Sequence, residues 1–287
     1  MTRANNDKAM HRGLLRWAIL CTLPGIASAA AQSGPAVEPR ATATRPSTSQ
    51  RATPQKDKGT MPYKLGKVIY HNPLASAEDV KDWRMEGDAA VTFPNKRMRM
   101  ANHRDPGEGQ AANFVFWCPR DFPDNIAISW DFYPMREPGL CILFFAAKGR
   151  NNRDLFDPSL AERTGQYQQY HSSDINALHV SYYRRMFESE RRFHTCNLRK
   201  SHGFHLVCQG ADPLPDVEDA RPPYRIQLVK MGPQVHFAID DLPILTWTDD
   251  GRTYGPVLAG GKIGFRQMAP LIAEYANLTV QEVAASE

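Results

Sequence analysis

Four of the chain's nine histidines, a Tyr-Tyr pair and a cluster of Arg and Lys fall within residues 179–207. The stretch runs from His179-Val-Ser-Tyr-Tyr-Arg-Arg185 through Arg192-Phe-His-Thr-Cys-Asn-Leu-Arg-Lys200 to His205-Leu-Val207. Side chains of these types, set side by side, suit an acidic, hydroxyl-rich ligand. β-Elimination beside a uronate needs a group that neutralises the carboxylate, a base for the C5 proton and an acid for the leaving oxygen. Arg185 or Arg199, with Asn197, are the candidate neutralisers. His179 is the candidate base, and Tyr183 the candidate acid or base. Trp117, Tyr167, Tyr170, Tyr182 and His205 are the candidate substrate-binding side chains, the aromatic ones by stacking on sugar rings. The plain alternative is that Tyr and Thr occur here because they favour strands, and that the arginines form surface ion pairs with Glu188 and Glu190.

Other chemistries find less support. A retaining glycoside hydrolase needs two carboxylates about 5.5 Å apart across the scissile bond. In a jelly roll that pair usually lies two or four residues apart on one strand. No strand-like run here carries such a pair; Asp240-Asp241 and Asp249-Asp250 read as turn residues. His194, His202 and His205 match no zinc spacing. No cofactor is expected, although Asp154 and Asp157 can serve as ligands to a structural calcium. Ala259-Gly-Gly-Lys262 sits in a strand context and is no phosphate loop.

The elements that must position these residues are strands. Ile126 to Tyr133 alternates Ile128, Trp130 and Phe132 against Ser129, Asp131 and Tyr133. Arg225–Lys230 and Val235–Ile239 alternate in the same way around a Met231-Gly-Pro233 turn, the mark of half-buried antiparallel strands. Leu140 to Ala147 is apolar throughout and predicts a central strand buried on both faces. Ser76 to Trp83 predicts one short helix, with Ser76 as N-cap. Many strands at short spacing and almost no helix predict an all-β, two-sheet jelly-roll sandwich.

Alternation also divides the 179–207 stretch into two faces. His179, Ser181, Tyr183 and Arg185 point one way from a strand over 175–185. Thr195, Asn197 and Arg199 do so from the next, and His205 and Gln209 from a third. Val180, Cys196, Leu198, Leu206 and Cys208 fall to the core. A register change of one residue would reverse any of these assignments.

The first 31 residues read as a secretory signal: Arg3, Lys8, Arg12 and Arg16, then the apolar Trp17–Ala27, then a small-residue tail with A-x-A cleavage options after Ala29 or Ala31. The apolar stretch is too short to span a bilayer. Residues 32–60 are rich in Pro, Ser, Thr, Ala and Arg and read as a disordered linker. A single domain is then expected over 61–287, in the periplasm or outside the cell. The net charge of +4 belongs to those leading segments. They carry +3 each, which leaves −2 on residues 61–287. A near-neutral domain has no global field for nucleic acid, so any anion site must be local. Cleavage would leave four cysteines, Cys118, Cys141, Cys196 and Cys208. Each lies in an apolar run and is expected as a buried free thiol, with Cys196 and Cys208 the pair best placed to bridge.

The runs Ser172–Arg185, Phe193–Lys200 and Gly264-Phe-Arg-Gln-Met-Ala-Pro270 resemble the YesU-like bacterial family, a domain-of-unknown-function family with a concanavalin-A-like jelly roll. His71-Asn-Pro-Leu74 and Leu143-Phe-Phe-Ala-Ala-Lys-Gly149 fit it too. The resemblance covers nearly all of residues 65–283. It implies the fold and a setting in bacterial breakdown of plant or algal polysaccharides. It supplies no established catalytic residues. The combined expectation is an exported protein acting on a uronate-containing polysaccharide or oligosaccharide by elimination. A non-catalytic carbohydrate-binding jelly roll and a glycoside hydrolase with unrecognised carboxylates are the alternatives.

Overall fold

The computed structural model describes residues 63–286; the leader and linker read above lie outside the described residues. Fifteen strands follow in order: β1 (Tyr63–Asn72), β2 (Arg84–Glu86), β3 (Ala89–Thr92), β4 (Met98–Asn102), β5 (Phe114–Trp117), β6 (Ile126–Arg136), β7 (Leu140–Gly149), β8 (Ile175–Tyr182), β9 (Thr195–Ser201), β10 (His205–Ala211), β11 (Tyr224–Met231), β12 (Gln234–Ile239), β13 (Leu242–Thr248), β14 (Lys262–Met268) and β15 (Ile272–Ala285). Two one-turn helices, α1 (Gln168–His171) and α2 (Glu188–Arg192), flank β8.

The strands form two antiparallel sheets. One runs β13-β12-β11-β6-β15-β4-β3, with β1 also paired to β15. The other runs β10-β9-β8-β7-β14-β5-β2. This is the two-sheet sandwich that the alternation predicts. Ile128, Trp130 and Phe132 of β6 face Leu143, Phe145, Val180, Leu198 and Phe265 of the opposite sheet in one buried core. β7 is buried from Leu140 to Ala147, on both faces, as its uniform apolar run requires.

Three local expectations are corrected. Ser76–Trp83 is not an α-helix: only Glu78–Val80 forms a 3₁₀ turn, and Ser76 is no N-cap. Instead the Asp79 carboxylate accepts from the backbone N–H groups of Ala75 and Ser76, so it competes with helix formation. β8 stops at Tyr182, because Tyr183 takes a positive φ of 49° and turns the chain. In β10 a bulge at Val207 sets Leu206 opposite Arg199 and Cys208 opposite Leu198. That one-residue shift leaves Leu206 44% exposed instead of in the core. The four cysteines are free, as expected: Cys118, Cys141 and Cys196 are buried, Cys196 stands opposite Gly210, and Cys208 is only part-buried, its thiol donating to Thr246 O.

Candidate functional site

The outer face of the seven-stranded sheet carries the candidate residues in rows. Arg199, His179, Phe144, Gly264 and Trp117 stand level across β9, β8, β7, β14 and β5. Asn197, Ser181, Ile142, Arg266 and Val115 form the next row. Residues 150–174, which join β7 to β8, fold over one half of this face. Their Leu155, Leu160 and Tyr170 pack on Val115, Trp117 and Phe144 in a second apolar cluster. Gly264 permits this, since a Cβ there would sit 2.3 Å from the Trp117 ring. A buried network pins the covering segment. Glu86 accepts from Trp117 Nε1 at 2.8 Å and from Arg163 Nη2 at 2.7 Å, and Arg163 also donates to Leu155 O.

The uncovered half is a cleft of about 340 Å³. Leu140, Ile142, Ser181, Asn197, Arg266 and Met268 form its floor, Tyr167, Phe204 and Gln110 line one side, and Arg184 with α2 lines the other. The α2 wall is fixed by buried Glu190. Its Oε2 accepts from the Met186 and Phe187 N–H groups, and its Oε1 from Arg184 Nη2 at 2.6 Å.

Of the residues expected to act together, Asn197 and Arg199 line this cleft, and His179 lies directly beneath it. The Asn197 amide is 2.7 Å from Gln209 Nε2 and 3.0 Å from Arg184 Nη1. The Arg199 guanidinium stacks 3.9 Å from the Phe204 ring centroid and donates to Phe204 O. His179 is fully buried, with its Nε2 2.7 Å from the Tyr167 hydroxyl and its Nδ1 without a partner among the described residues. Burial, then the charges of Arg199, His171 and Arg266, push His179 well below the ordinary histidine range, so it is neutral. Burial pushes Tyr167 up to about 12 against the pull of Arg266, Arg199 and Arg184.

Several expected residues lie elsewhere. Tyr183 turns into the intersheet core against Phe132, and its hydroxyl donates to Glu137. Arg185 is fully buried beyond the sheet end, donating to Asp216 Oδ1 at 2.8 Å, Leu214 O at 2.6 Å and Asp212 Oδ2 at 3.4 Å. The positive φ at Tyr183 ends the alternation that would have kept both on the cleft face. Tyr182 points inward, its hydroxyl accepting from Trp130 Nε1. Trp117 is on the cleft side but sealed under residues 150–174, and Tyr170 is a buried part of that covering segment, so no sugar reaches either ring. The β10 bulge takes His205 out of the cleft, and its ring stacks 4.4 Å from that of Tyr254. Asp154 pairs with Lys262 at 2.9 Å, and Asp157 accepts from Ser159. No cluster of three His, Cys, Asp or Glu residues suited to a metal occurs among the described residues.

Sequence reasoning missed Arg266. It is 1% exposed in the cleft floor, its Cζ 4.9 Å from the Tyr167 ring centroid. Its Nη2 donates to Gln110 Oε1 at 3.1 Å and Gly165 O at 3.0 Å, while Nε and Nη1 find no partner among the described residues. Burial lowers its pKa to about 10, which leaves it charged. The signal was present: Ile263 and Phe265 are core residues, so Gly264, Arg266 and Met268 had to face outward.

Fold and site together define a β-sandwich with a cationic, aromatic-rimmed cleft on the outer face of one sheet. The chain belongs to the family described as Domain of unknown function (DUF1961), which it matches over residues 67–280. It is 57% identical over 220 residues to the uncharacterized protein YesU of Bacillus subtilis (strain 168), covering 77% of this chain and 98% of that one. A crystal structure of a Bacillus subtilis protein of unknown function with a galectin-like fold is 56% identical, with a TM-score of 0.75, covering 78% of this chain and 100% of that one. The carbohydrate-binding module CBM66 from Bacillus subtilis is far more distant, at 13% identity and a TM-score of 0.42 over 70% of this chain and 95% of that one. A likeness that shallow transfers no ligand.

Proposed function

We propose that the protein is a carbohydrate-binding jelly roll and that the sugar occupies the outer-face cleft. The observation that carries this reading is the lining itself. Phe187 and Phe204, 55% and 47% exposed, and the Tyr167 ring offer apolar faces beside Asn197, Ser181 and Arg199, which offer hydrogen bonds. Sugars present both kinds of surface, and ligand sites of this size combine apolar walls with a few placed polar groups. No helix among the described residues is long and apolar enough to cross a membrane. The signal-like leader at residues 1–31 is what supports an exported protein meeting its sugar outside the cytoplasm.

A second reading has the bound sugar as a uronate that undergoes elimination. What favours it is the Tyr167–His179 contact between two arginines. Against it, the Tyr167 phenol is harder to ionise than an ordinary one and His179 touches no open space. Binding without chemistry is therefore the preferred reading.

Calorimetric titration of the purified protein with neutral and acidic oligosaccharides tests the proposal. Binding that weakens in Phe204→Ala and Asn197→Ala supports it. Binding that ignores both substitutions, or none across the panel, overturns it. Growth of the ultraviolet absorbance of an unsaturated uronate in the same mixtures would establish elimination instead.

A further inference from the structure

Arg199 and Arg266 pair with no carboxylate among the described residues, although the chain gives almost every other buried cation one. Lys200 has Asp249, Lys230 has Asp124, Lys262 has Asp121 and Asp154, and Arg163 has Glu86. Arg185 has Asp212 and Asp216. At the cleft, Arg184 takes Glu190, the one carboxylate in the lining. Arg266 is the exception: a fully buried guanidinium with two unpartnered nitrogens, capped by the ring of Tyr167 and flanked by half-buried Arg199. A buried charge without a counter-ion is costly, and among the described residues Arg266 meets only the neutral groups Gln110 Oε1, Gly165 O and the Tyr167 ring.

We infer that the ligand supplies the missing counter-ion: the cleft selects sugars bearing a carboxylate, and Arg266 is the specificity-determining residue. This rests on the carbohydrate reading above and adds the charge of the sugar and the side chain that reads it. Arg199 contributes from the edge of the cleft, where its stacking on Phe204 holds the guanidinium in place. A neutral sugar would leave Arg266 uncompensated. An acidic one would make a charge-assisted contact in a site that excludes water.

The test compares each uronic oligosaccharide as free acid and as methyl ester, which share stereochemistry and differ in charge. Oligogalacturonides, oligomannuronates and glucuronate-containing oligosaccharides serve as probes, titrated against wild type, Arg266→Met and Arg266→Lys. The expected result is at least about tenfold tighter binding of an acid than of its ester, the effect of one charge-assisted hydrogen bond. Arg266→Met should abolish that preference, and Arg266→Lys should retain part of it. Thermal melting checks each variant, since Arg266 also holds Gln110 and Gly165. If Arg266→Met does not fold, the acid-to-ester ratio of wild type and its fall with added salt decide. Equal binding of acid and ester overturns the inference and leaves the carbohydrate reading standing. Absence of binding to every acidic and neutral oligosaccharide overturns both.

Discussion

The Tyr167 hydroxyl and His179 Nε2, twelve residues apart in sequence, meet at 2.7 Å beneath the cleft, and that contact is the only hydrogen bond given to the His179 ring among the described residues. Tyr167 thus links an open surface to a buried titratable group. Replacing it with phenylalanine keeps the ring beside Arg266 and removes the hydroxyl. Tyr167→Phe should lower stability by about 1–3 kcal/mol, the cost of an unsatisfied buried polar group, as measured by chemical denaturation. If the protein only binds sugar, affinity should change less than stability does. If it eliminates, turnover should vanish while binding persists.

Acid should destabilise the protein through His179. Its folded pKa lies well below the ordinary 6.5 of the unfolded chain. The unfolded state therefore takes up the proton first. The stability associated with neutral His179 is complete above about pH 6.5 and is lost as pH falls toward the folded pKa, by at most about 1.4 kcal/mol per pH unit for one such group. His171 and His236, also depressed by burial, add in the same direction. The difference in unfolding free energy between wild type and His179→Gln should shrink on acidification from pH 7 to pH 5. A constant difference across that range would refute the assignment.

Arg185 and Arg199 should separate cleanly into stability and binding. Arg185→Met leaves Asp212 buried without its cation, and breaking such a pair costs about 3–5 kcal/mol. It should lower the melting temperature, with the folded fraction retaining its affinity for sugar. Arg199 is half-buried and pairs with no carboxylate among the described residues. Arg199→Met should melt close to wild type and bind acidic sugar more weakly. Both measurements need only a thermal scan and a titration.

Glu86 should control the segment over the sheet. Glu86→Gln keeps a hydrogen-bond acceptor for Trp117 but leaves Arg163, 4% exposed at the side chain, without a counter-charge. Hydrogen exchange should quicken across residues 150–174 before the rest of the domain loosens. If Trp117 and Tyr170 become accessible in that variant, its tryptophan fluorescence should shift to the red.

Gly264→Ala should be as disruptive as a large core change. The added Cβ would lie 2.3 Å from the Trp117 ring, and overpacking of this kind costs about 1–3 kcal/mol. A lower denaturation midpoint with an unchanged far-ultraviolet spectrum is the expected result.

Much of this is legible in the sequence. Period-two alternation assigned Ile128, Trp130 and Phe132 to the core, and the unbroken apolar run at Leu140 to Ala147 marked a strand covered on both sides. It also placed His179, Asn197 and Arg199 on one face, which the ladder confirms as Arg199 beside His179 and Asn197 beside Ser181. Alternation failed where the backbone departs from regular pleat. The turn at Tyr183 sent Tyr183 and Arg185 away, and the bulge at Val207 moved His205 and exposed Leu206.

The sequence by itself determined the class of fold, the near-neutral charge of residues 61–287 and the local polarity of each strand, because those depend on composition and on neighbours one or two residues away. Only the tertiary structure decided which polar residues share a cleft. Strand order brings Arg266 of β14 within reach of Asn197 and Arg199 of β9, residues nearly seventy positions apart. The packing of residues 150–174 then covers Trp117 and buries the segment's own Tyr170 while leaving Tyr167 at the rim, above His179. A period of two fixes the face a side chain takes; it carries no information about which strands lie side by side or what folds across them.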